Sequence, residues 1–238
     1  MTIAFISDLH LSADRPASIA LFTKFMQQTV MDELYILGDF FDYWIGDDGA
    51  RELGFQTVED VVKTAVDNGT IVTFMAGNRD FLVGEGFCER TGIKLIEDLT
   101  LIDLDGQRAL LSHGDVFCTD DLEHVALRKT LLSSQWQGNI LSQSIEHRLA
   151  FAKDIREQSE AAKQGKTMEV MDVNQSEVEQ AIAKFDADLL IHGHTHRPNV
   201  HSHMVNGKEV KRYVLGDWYD HKSALTYSDG ELNLEYNV

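Results

Sequence analysis

Apolar positions fall into two alternating patterns along this chain. Short runs rich in β-branched and aromatic residues, at 2–6, 33–37, 70–76, 99–104, 109–112, 189–192, 211–215, 223–227 and 232–235, predict strands. Between the early ones, segments 18–31 and 57–68 return an apolar residue every three or four positions and predict helices. Strand, helix and strand in succession indicate an α/β fold. Gly106 in LDGQ and Gly230 in SDGE belong to Asp-Gly turns between strand-like runs, a hairpin signal, so the sheets are not expected to be purely parallel. The expected architecture is α/β: a layered β-sandwich flanked by helices.

From about residue 122 to 166 the strand signal stops. Leu127, Leu131, Trp136, Ile140, Ile145 and Leu149 are among the apolar residues that recur there at helical intervals, which predicts a helical insertion, a lid, in one domain spanning 1–238. The insertion carries seven Lys and Arg against five Asp and Glu, a balance of +2 that leaves −20 for the rest of the chain. Its apolar stripe either packs as a cap on the core or faces lipid, and a wide enough stripe does both.

Composition narrows the function classes. With 43% hydrophobic and 25% charged residues, 238 positions suffice for one well-buried domain but not for a second full one. The 21 Lys and Arg against 39 Asp and Glu, net −18, oppose affinity for a phosphate backbone, so no nucleic-acid partner is expected. Two cysteines, Cys88 and Cys118, are too few for a disulfide framework, and MTIAFISD enters directly into a strand, so the cytoplasm is the expected compartment. No stretch approaches the roughly 18 consecutive apolar residues of a spanning helix, which leaves peripheral contact as the expected form of any membrane association.

Five strand-like runs end in metal-binding groups: Asp8 and His10 in ISDLH, Asp39 in LGDFFD, Asn78 in AGNRD, His113 in SHGD, and His194 and His196 in IHGHTH. Carboxylate and amide oxygens mixed with imidazoles suit two close divalent ions such as Mn²⁺, Fe²⁺ or Zn²⁺, with a bridging aspartate between them, an arrangement that hydrolyses phosphate esters. Singly, each group has an ordinary explanation. Asp8 also reads as a turn or cap, Asn78 as a turn, and His113 as a structural histidine. Asp8 and His10, two apart, are expected to share one face of a strand. His192, His194 and His196 within five residues are harder to explain as core filling. A neutral Asn78 suits a site whose charge must stay low enough to admit an anionic phosphate.

In this order, DLH, GDFFD, GNRD, HGD and GHTH resemble the calcineurin-like metallophosphoesterase superfamily along nearly the whole chain. The resemblance implies one metal held by Asp8, His10, Asp39 and His196, and another by Asp39, Asn78, His113 and His194. Asp39 would bridge them. Where the superfamily commonly has His after Gly-Asn, this chain has Arg79. GNRDFL, YILGDFFDYWIGDD, HGDVFCTDD, MDVNQ and LIHGHTHRP look like the UDP-2,3-diacylglucosamine hydrolase family of lipid A biosynthesis. That likeness implies a peripheral enzyme on the cytoplasmic side of the bacterial inner membrane. It would use two Mn²⁺ ions and a metal-activated water to cleave UDP-2,3-diacylglucosamine to UMP and 2,3-diacylglucosamine 1-phosphate.

Under this reading Asp39, Arg79, His113 and His194 are the catalytic candidates. Arg79 replaces a histidine acid with a fork that holds the diphosphate, which makes chemical sense where the leaving group is itself a phosphate. Asn78, Arg79 and His194 would also touch substrate. The family pattern adds Asp121, Ser159, Lys163 and Lys166, of which Asp121 equally suits a helix cap and Ser159 and Lys166 a solvated helix. His124 and His147 read as surface residues, and Tyr35, Phe40, Phe41, Tyr43 and Trp44 as core. The competing functions are a phosphoesterase for a soluble nucleotide, diester or phosphoprotein, and a non-catalytic scaffold. The apolar insertion argues against the first and the complete ligand set against the second.

Overall fold

The computed structural model describes residues 1–163, 165–167, 170–219 and 221–236, with the side chains of Glu160 and Lys163 excepted. Strand β1 (Ile3–Ile6) is buried on both faces. Ala4 and Ile6 point towards helices α1 (Pro16–Gln28) and α2 (Gln56–Asp67), where Phe22, Phe25, Val58 and Val62 enclose them. Ile3 and Phe5 point the opposite way, onto a second sheet. A strand with helices on one side and a sheet on the other has no solvent face, which is why its sequence does not alternate.

The first sheet adds β2 (Glu33–Leu37), β3 (Ile71–Met75), helix α3 (Glu85–Thr91), β4 (Lys94–Ile96) and, from the carboxyl end of the chain, β10 (Ser223–Ser228) and β11 (Glu231–Tyr236). Its order is β11-β10-β1-β2-β3-β4, parallel from β1 to β4. The second contains β5 (Thr100–Leu104), β6 (Gln107–Ser112), β7 (Leu189–His192), β8 (Asn199–Val205) and β9 (Lys208–Val214) in the order β5-β6-β7-β9-β8, parallel through β6, β7 and β9. Leu37, Met75, Leu111 and Ile191 fill the space between the sheets. Helix α7 (Gln175–Phe185) closes the far side with Val178 and Ile182. The layers therefore run helix, sheet, sheet, helix, and the parallel strands of both sheets deliver their carboxyl ends to one edge.

All nine expected strands and both early helices form, with ends displaced by at most three residues. The Asp105-Gly106 and Asp229-Gly230 hairpins adopt φ of 52° and 89°, and 53° and 82°, the left-handed pair that a two-residue turn between twisted strands requires. β4, α3, α7 and β8 lie outside the expected set. β8 is an edge strand, largely exposed and polar, so no apolar alternation announces it. The Asn206-Gly207 turn that joins it to β9, with φ of 52° and 79°, was the available signal.

The insertion contains α4 (Leu122–Leu131), α5 (Ser134–Leu141) and α6 (Ile145–Lys163). Asp121 caps α4 through the His124 amide, and Ser133 caps α5 through that of Trp136. Arg148, only 3% exposed, fastens α6 to the core by donating to Asp48 and to the Ile45 carbonyl. Trp136 turns inward between Phe81 and Phe151, at ring separations of 5.9 and 5.5 Å, and Leu149 packs on the core. Much of the apolar stripe thus faces inward, while Leu122, Leu132 and Leu141 remain exposed. Among the described residues no helix is long and apolar enough to cross a membrane.

Candidate active site

Asp8 and His10 do not share a strand face. Both lie beyond β1 with φ of 56° and 46°, and Asp39, His194 and His196 adopt 50°, 67° and 55° after β2 and β7. Non-glycine residues rarely occupy this left-handed region, at a cost of order 1–3 kcal/mol each, and do so where surrounding structure over-determines them. Here the loops brace one another. The His10 and Leu11 amides donate to the Asp39 and Phe40 carbonyls at 2.9 Å, and the Asp42 amide returns to Leu11 at 2.9 Å. Asp80, fully buried, accepts from the Phe40, Phe41 and Gly77 amides at 2.7, 3.2 and 2.8 Å and so ties the loop after β2 to the loop after β3.

The structure brings all seven expected metal ligands to this edge. His10 Nε2 and His196 Nε2 lie 3.1 Å apart, with Asp8 Oδ1 at 3.9 and 3.3 Å from them. Asn78 Oδ1 is 3.0 Å from both His113 Nε2 and His194 Nδ1. Asp39 stands between the groups, Oδ1 at 3.7 Å from His113 Nε2 and Oδ2 at 4.0 Å from His10 Nδ1. Neighbouring groups orient the rings. His113 Nδ1 donates to the Leu37 carbonyl at 2.9 Å, which leaves the Nε2 lone pair available to a ligand, and His196 Nδ1 lies 3.2 Å from Asp217 Oδ2. Ser7 Oγ and the His194 amide occupy Asp8 Oδ2 at 2.6 and 2.8 Å, which turns Oδ1 towards the histidines.

Several observations fit divalent cations. Asp8 Oδ1 and His10 Nδ1 are buried without a hydrogen-bond partner. Burial opposes the charge on Asp8, yet His196, His113 and His10 hold its carboxyl below the ordinary range. Burial, reinforced by Asp80 and Asp8, pushes Asp39 up to about 7 against the pull of His113. Burial alone would lower His113 and His196, but the surrounding carboxylates push them up to about 9 and about 10. His10 and His194 lie well below their ordinary value, mainly through burial. The cluster of buried carboxylates calls for positive charge at the points where imidazole nitrogens converge, and oxygen and imidazole donors together suit divalent ions. His192 stands apart: Nδ1 donates to the Gly193 carbonyl at 2.9 Å, Nε2 meets Arg212 Nη1 at 3.0 Å, and burial with that guanidinium lowers it to about 3.

Arg79 borders the cluster, with Nε 3.9 Å from Asp39 Oδ2 and Nη1 3.6 Å from Asp42 Oδ1. Arg15 and Arg156 approach the same buried Asp42 at 3.8 and 2.7 Å, so three guanidinium groups surround one carboxylate beside the candidate ligands. Asp121, Ser159 and Lys166 line the same cavity of about 480 Å³ as His10, Asp39, Asn78 and Arg79. Asp121 is both a helix cap and an ion-pair partner, with Lys166 Nζ at 2.7 and 2.8 Å from its oxygens. The Lys163 side chain lies outside the described residues. His147 is exposed, but His124 is not a surface residue: its ring lies 5.4 Å from that of His194 and its Nε2 3.8 Å from Asp115 Oδ2. Asp42 and Asp80 close the GDFFD and GNRD motifs, Asp217 belongs to the Gly216-Asp217-Trp218 segment whose place after a strand suggests support for the candidate histidines, and Arg15 and Arg156 have no motif of their own.

A second cavity, of about 710 Å³, opens beside the first. Leu127, Leu131, Trp136, Ile140 and Phe151 from the insertion face Phe81 and Leu82 across it. The two cavities share Asn78, Arg79, His124, Leu127, Ile155 and Ser159, so a polar, cation-rimmed compartment runs into an apolar one.

Comparison with known proteins agrees with this geometry. Residues 1–198 match the family model described as calcineurin-like phosphoesterase. A protein of Aliivibrio fischeri named UDP-2,3-diacylglucosamine hydrolase is 43% identical over 233 residues, covering 96% of this chain and 95% of its own. One of Xanthomonas axonopodis pv. citri with the same name is 44% identical over 248 residues, covering 99% and 98%. Among solved structures, an archaeal phosphodiesterase superimposes with a TM-score of 0.51 at 15% identity, covering 99% of each chain, which bears on the fold alone. Fold, sequence and the order of groups along the edge place the chain in the calcineurin-like phosphoesterase family, and within it in the family of UDP-2,3-diacylglucosamine hydrolases.

Proposed function

We propose that this protein hydrolyses the pyrophosphate bond of UDP-2,3-diacylglucosamine, giving UMP and 2,3-diacylglucosamine 1-phosphate for lipid A biosynthesis, and that it uses two divalent ions, Mn²⁺ foremost. The observation that carries this reading is the junction between the polar cavity containing the ligand cluster and the apolar cavity under the insertion. A substrate with a charged diphosphate joined through a sugar to two acyl chains needs both in that order. The curated relatives carry the name of that activity over nearly the whole chain.

Asp8, His10, Asp39 and His196 would hold one ion, and Asp39, Asn78, His113 and His194 the other. Ions bound there supply Lewis-acid charge on the phosphoryl oxygens and a water activated at neutral pH. Arg79 binds the diphosphate and compensates charge on the leaving phosphate, with Arg15 and Arg156 adding to the positive rim around Asp42. Asn78 contributes an oxygen without charge, so an anionic substrate still meets a net positive centre. Asp121 and Lys166 offer an acceptor and a donor to sugar hydroxyls, Ser159 lies on the same wall, and Lys163 is assigned to this group from its place in the family pattern. The apolar cavity takes the acyl chains.

Incubation with UDP-2,3-diacylglucosamine and Mn²⁺ in ¹⁸O-water is expected to release UMP bearing the label, which places attack on the uridine-side phosphorus. Label in the lipid phosphate would move the attack to the other phosphorus. No turnover, with bis(p-nitrophenyl) phosphate still cleaved, would reject the lipid substrate and keep the phosphoesterase.

Peripheral contact with the cytoplasmic face of the inner membrane belongs to the same reading. Leu132 and Leu141 flank α5 at 41% and 43% exposure, and Leu122 reaches 76%. The Leu132→Ser, Leu141→Ser double variant is expected to lose about tenfold or more in affinity for vesicles of phosphatidylethanolamine and phosphatidylglycerol, read by sedimentation, since fully burying a leucine contributes about 1.5–3 kcal/mol and somewhat under half of each side chain is exposed to gain it. Unchanged sedimentation would reject this face as the one that meets lipid.

A further inference from the structure

A third cavity, of about 520 Å³, lies beyond His196. It shares Thr195, His196 and Arg197 with the cavity of the ligand cluster and no residue with the apolar one. The three stand in a row, apolar at one end, with the candidate metal ligands in the middle. The far compartment is polar, walled by the edge of the second sheet through Asn199, His201 and Arg212, and by Lys222 and Tyr236 from the other side.

Arg212 is the unusual wall residue. It is 5% exposed, and its hydrogen-bond partners are neutral imidazoles: Nε donates to His203 Nε2 at 3.1 Å, and Nη1 meets His192 Nε2 at 3.0 Å. Among the described residues no carboxylate forms an ion pair with it and Nη2 makes no hydrogen bond. Burial lowers its pKa, opposed only by Asp172, whose carboxylate already engages Arg197 at 2.6 Å. A largely buried guanidinium without a counter-charge is costly, and its unpaired Nη2, open to the cavity that Arg212 lines, points to an acceptor supplied from outside. Lys222, by contrast, is paired with Glu235 at 2.8 Å.

We propose that this third cavity receives the uridine half of the substrate, with Arg212 donating through Nη2 to a carbonyl oxygen of the pyrimidine ring. The inference rests on the UDP-2,3-diacylglucosamine reading and adds to it a seat for the nucleoside. The substrate has three parts in fixed order: acyl chains on a sugar, a diphosphate, and a uridine. The protein has three compartments in the corresponding order, and only the third is without an assigned part. Uracil has two ring carbonyl oxygens and no charge, which suits a compartment whose buried guanidinium offers an unpaired donor, whereas adenine has no ring carbonyl.

Two variants test this in the full-length, Mn²⁺-loaded protein. Asn199→Trp fills the cavity from an exposed position at the start of β8, where loss of the fold is not expected, and Arg212→Met removes the donor. The first readout is the ratio of kcat/KM for UDP-2,3-diacylglucosamine to that for bis(p-nitrophenyl) phosphate, which cancels any disturbance of the metal-site loops. The second is the affinity for UMP, with AMP as comparison, by titration calorimetry. In each variant the ratio is expected to fall about tenfold or more, through KM, the size expected for one hydrogen bond to a charged group. UMP should bind wild type more tightly than AMP and lose a similar factor in each variant. A ratio and a UMP affinity unchanged in Asn199→Trp would overturn the assignment. If wild type cleaves bis(p-nitrophenyl) phosphate but not the UDP-lipid, the substrate reading fails by itself. UMP binding that is weakened by Asn199→Trp would then still support the cavity as a uridine site, and UMP binding indifferent to it would reject both.

Discussion

Asp39→Asn is expected to lower kcat/KM by about four orders of magnitude or more, the scale seen when one member of a catalytic unit is removed. The same change should stabilise the metal-free protein. Asp39 is buried beside Asp8 and Asp80, and its carboxyl is pushed up to about 7 from an ordinary value of 3.8. Between these values the folded chain holds a proton that the unfolded chain has released, so stability falls as pH rises through this window and the full loss is reached above about 7. An amide of the same shape carries no such charge and can still accept from the Arg79 amide, which donates to Asp39 Oδ1 at 2.9 Å. With a chelator at pH 8 the variant should therefore melt above wild type. Added Mn²⁺ should raise the melting temperature of wild type more than that of the variant. A variant that melts below wild type in chelator, or keeps a tenth of the activity, would contradict the assignment of Asp39 as the shared ligand.

Gly193→Ala should abolish activity by a different route. A Cβ at this position would overlap Ser7 Oγ and Asp8 Oδ2, the pair whose hydrogen bond turns the free Asp8 oxygen towards His10 and His196. Ser7 cannot retreat without breaking its own hydrogen bond to Asp8, nor Asp8 without breaking the one it accepts from the His194 amide. At least a hundredfold loss of kcat is expected, with destabilisation of about 1–3 kcal/mol from overpacking. Gly138→Ala, in α5 with nothing within 4 Å of the added carbon, is the control and should be neutral or slightly stabilising. Equal behaviour of the two variants in activity and thermal melting would show that close packing at Gly193 is not what sets the position of Asp8.

The candidate ligands were legible because each follows an apolar run, and parallel strands bring their carboxyl ends together whatever the distance between them in the chain. Their local conformation was not legible. Strand alternation suggested a shared face for Asp8 and His10, but five ligand candidates adopt left-handed backbone, imposed by hydrogen bonds between loops far apart in sequence. Asp80 followed Arg79 in a motif that was read for Asn78 and Arg79, and its three amide partners appear only once the loops are packed. Arg15 and Arg156 meet at Asp42 from positions far apart in the chain, a proximity that no local pattern encodes. His124 looked like a surface residue because its helix has only a shallow buried face, whereas the wall opposite belongs to the loop after β7.

The three helices of the insertion are fastened unequally. α4 is tied to the core by Arg128, which pairs with Asp115 and Asp98 at 2.7 and 3.1 Å, and α6 by Arg148 and Arg156, which pair with Asp48 and Asp42. The sequence of α5, SQWQGNIL, contains no ionisable side chain, so nothing but packing and hydrogen bonding holds it over the apolar cavity. Contacts of that kind have no fixed partner and re-form after sliding, whereas an ion pair removed from its partner leaves two poorly solvated charges. Of the three helices, α5 is therefore the one that an acyl chain in the apolar cavity would displace without separating an ion pair.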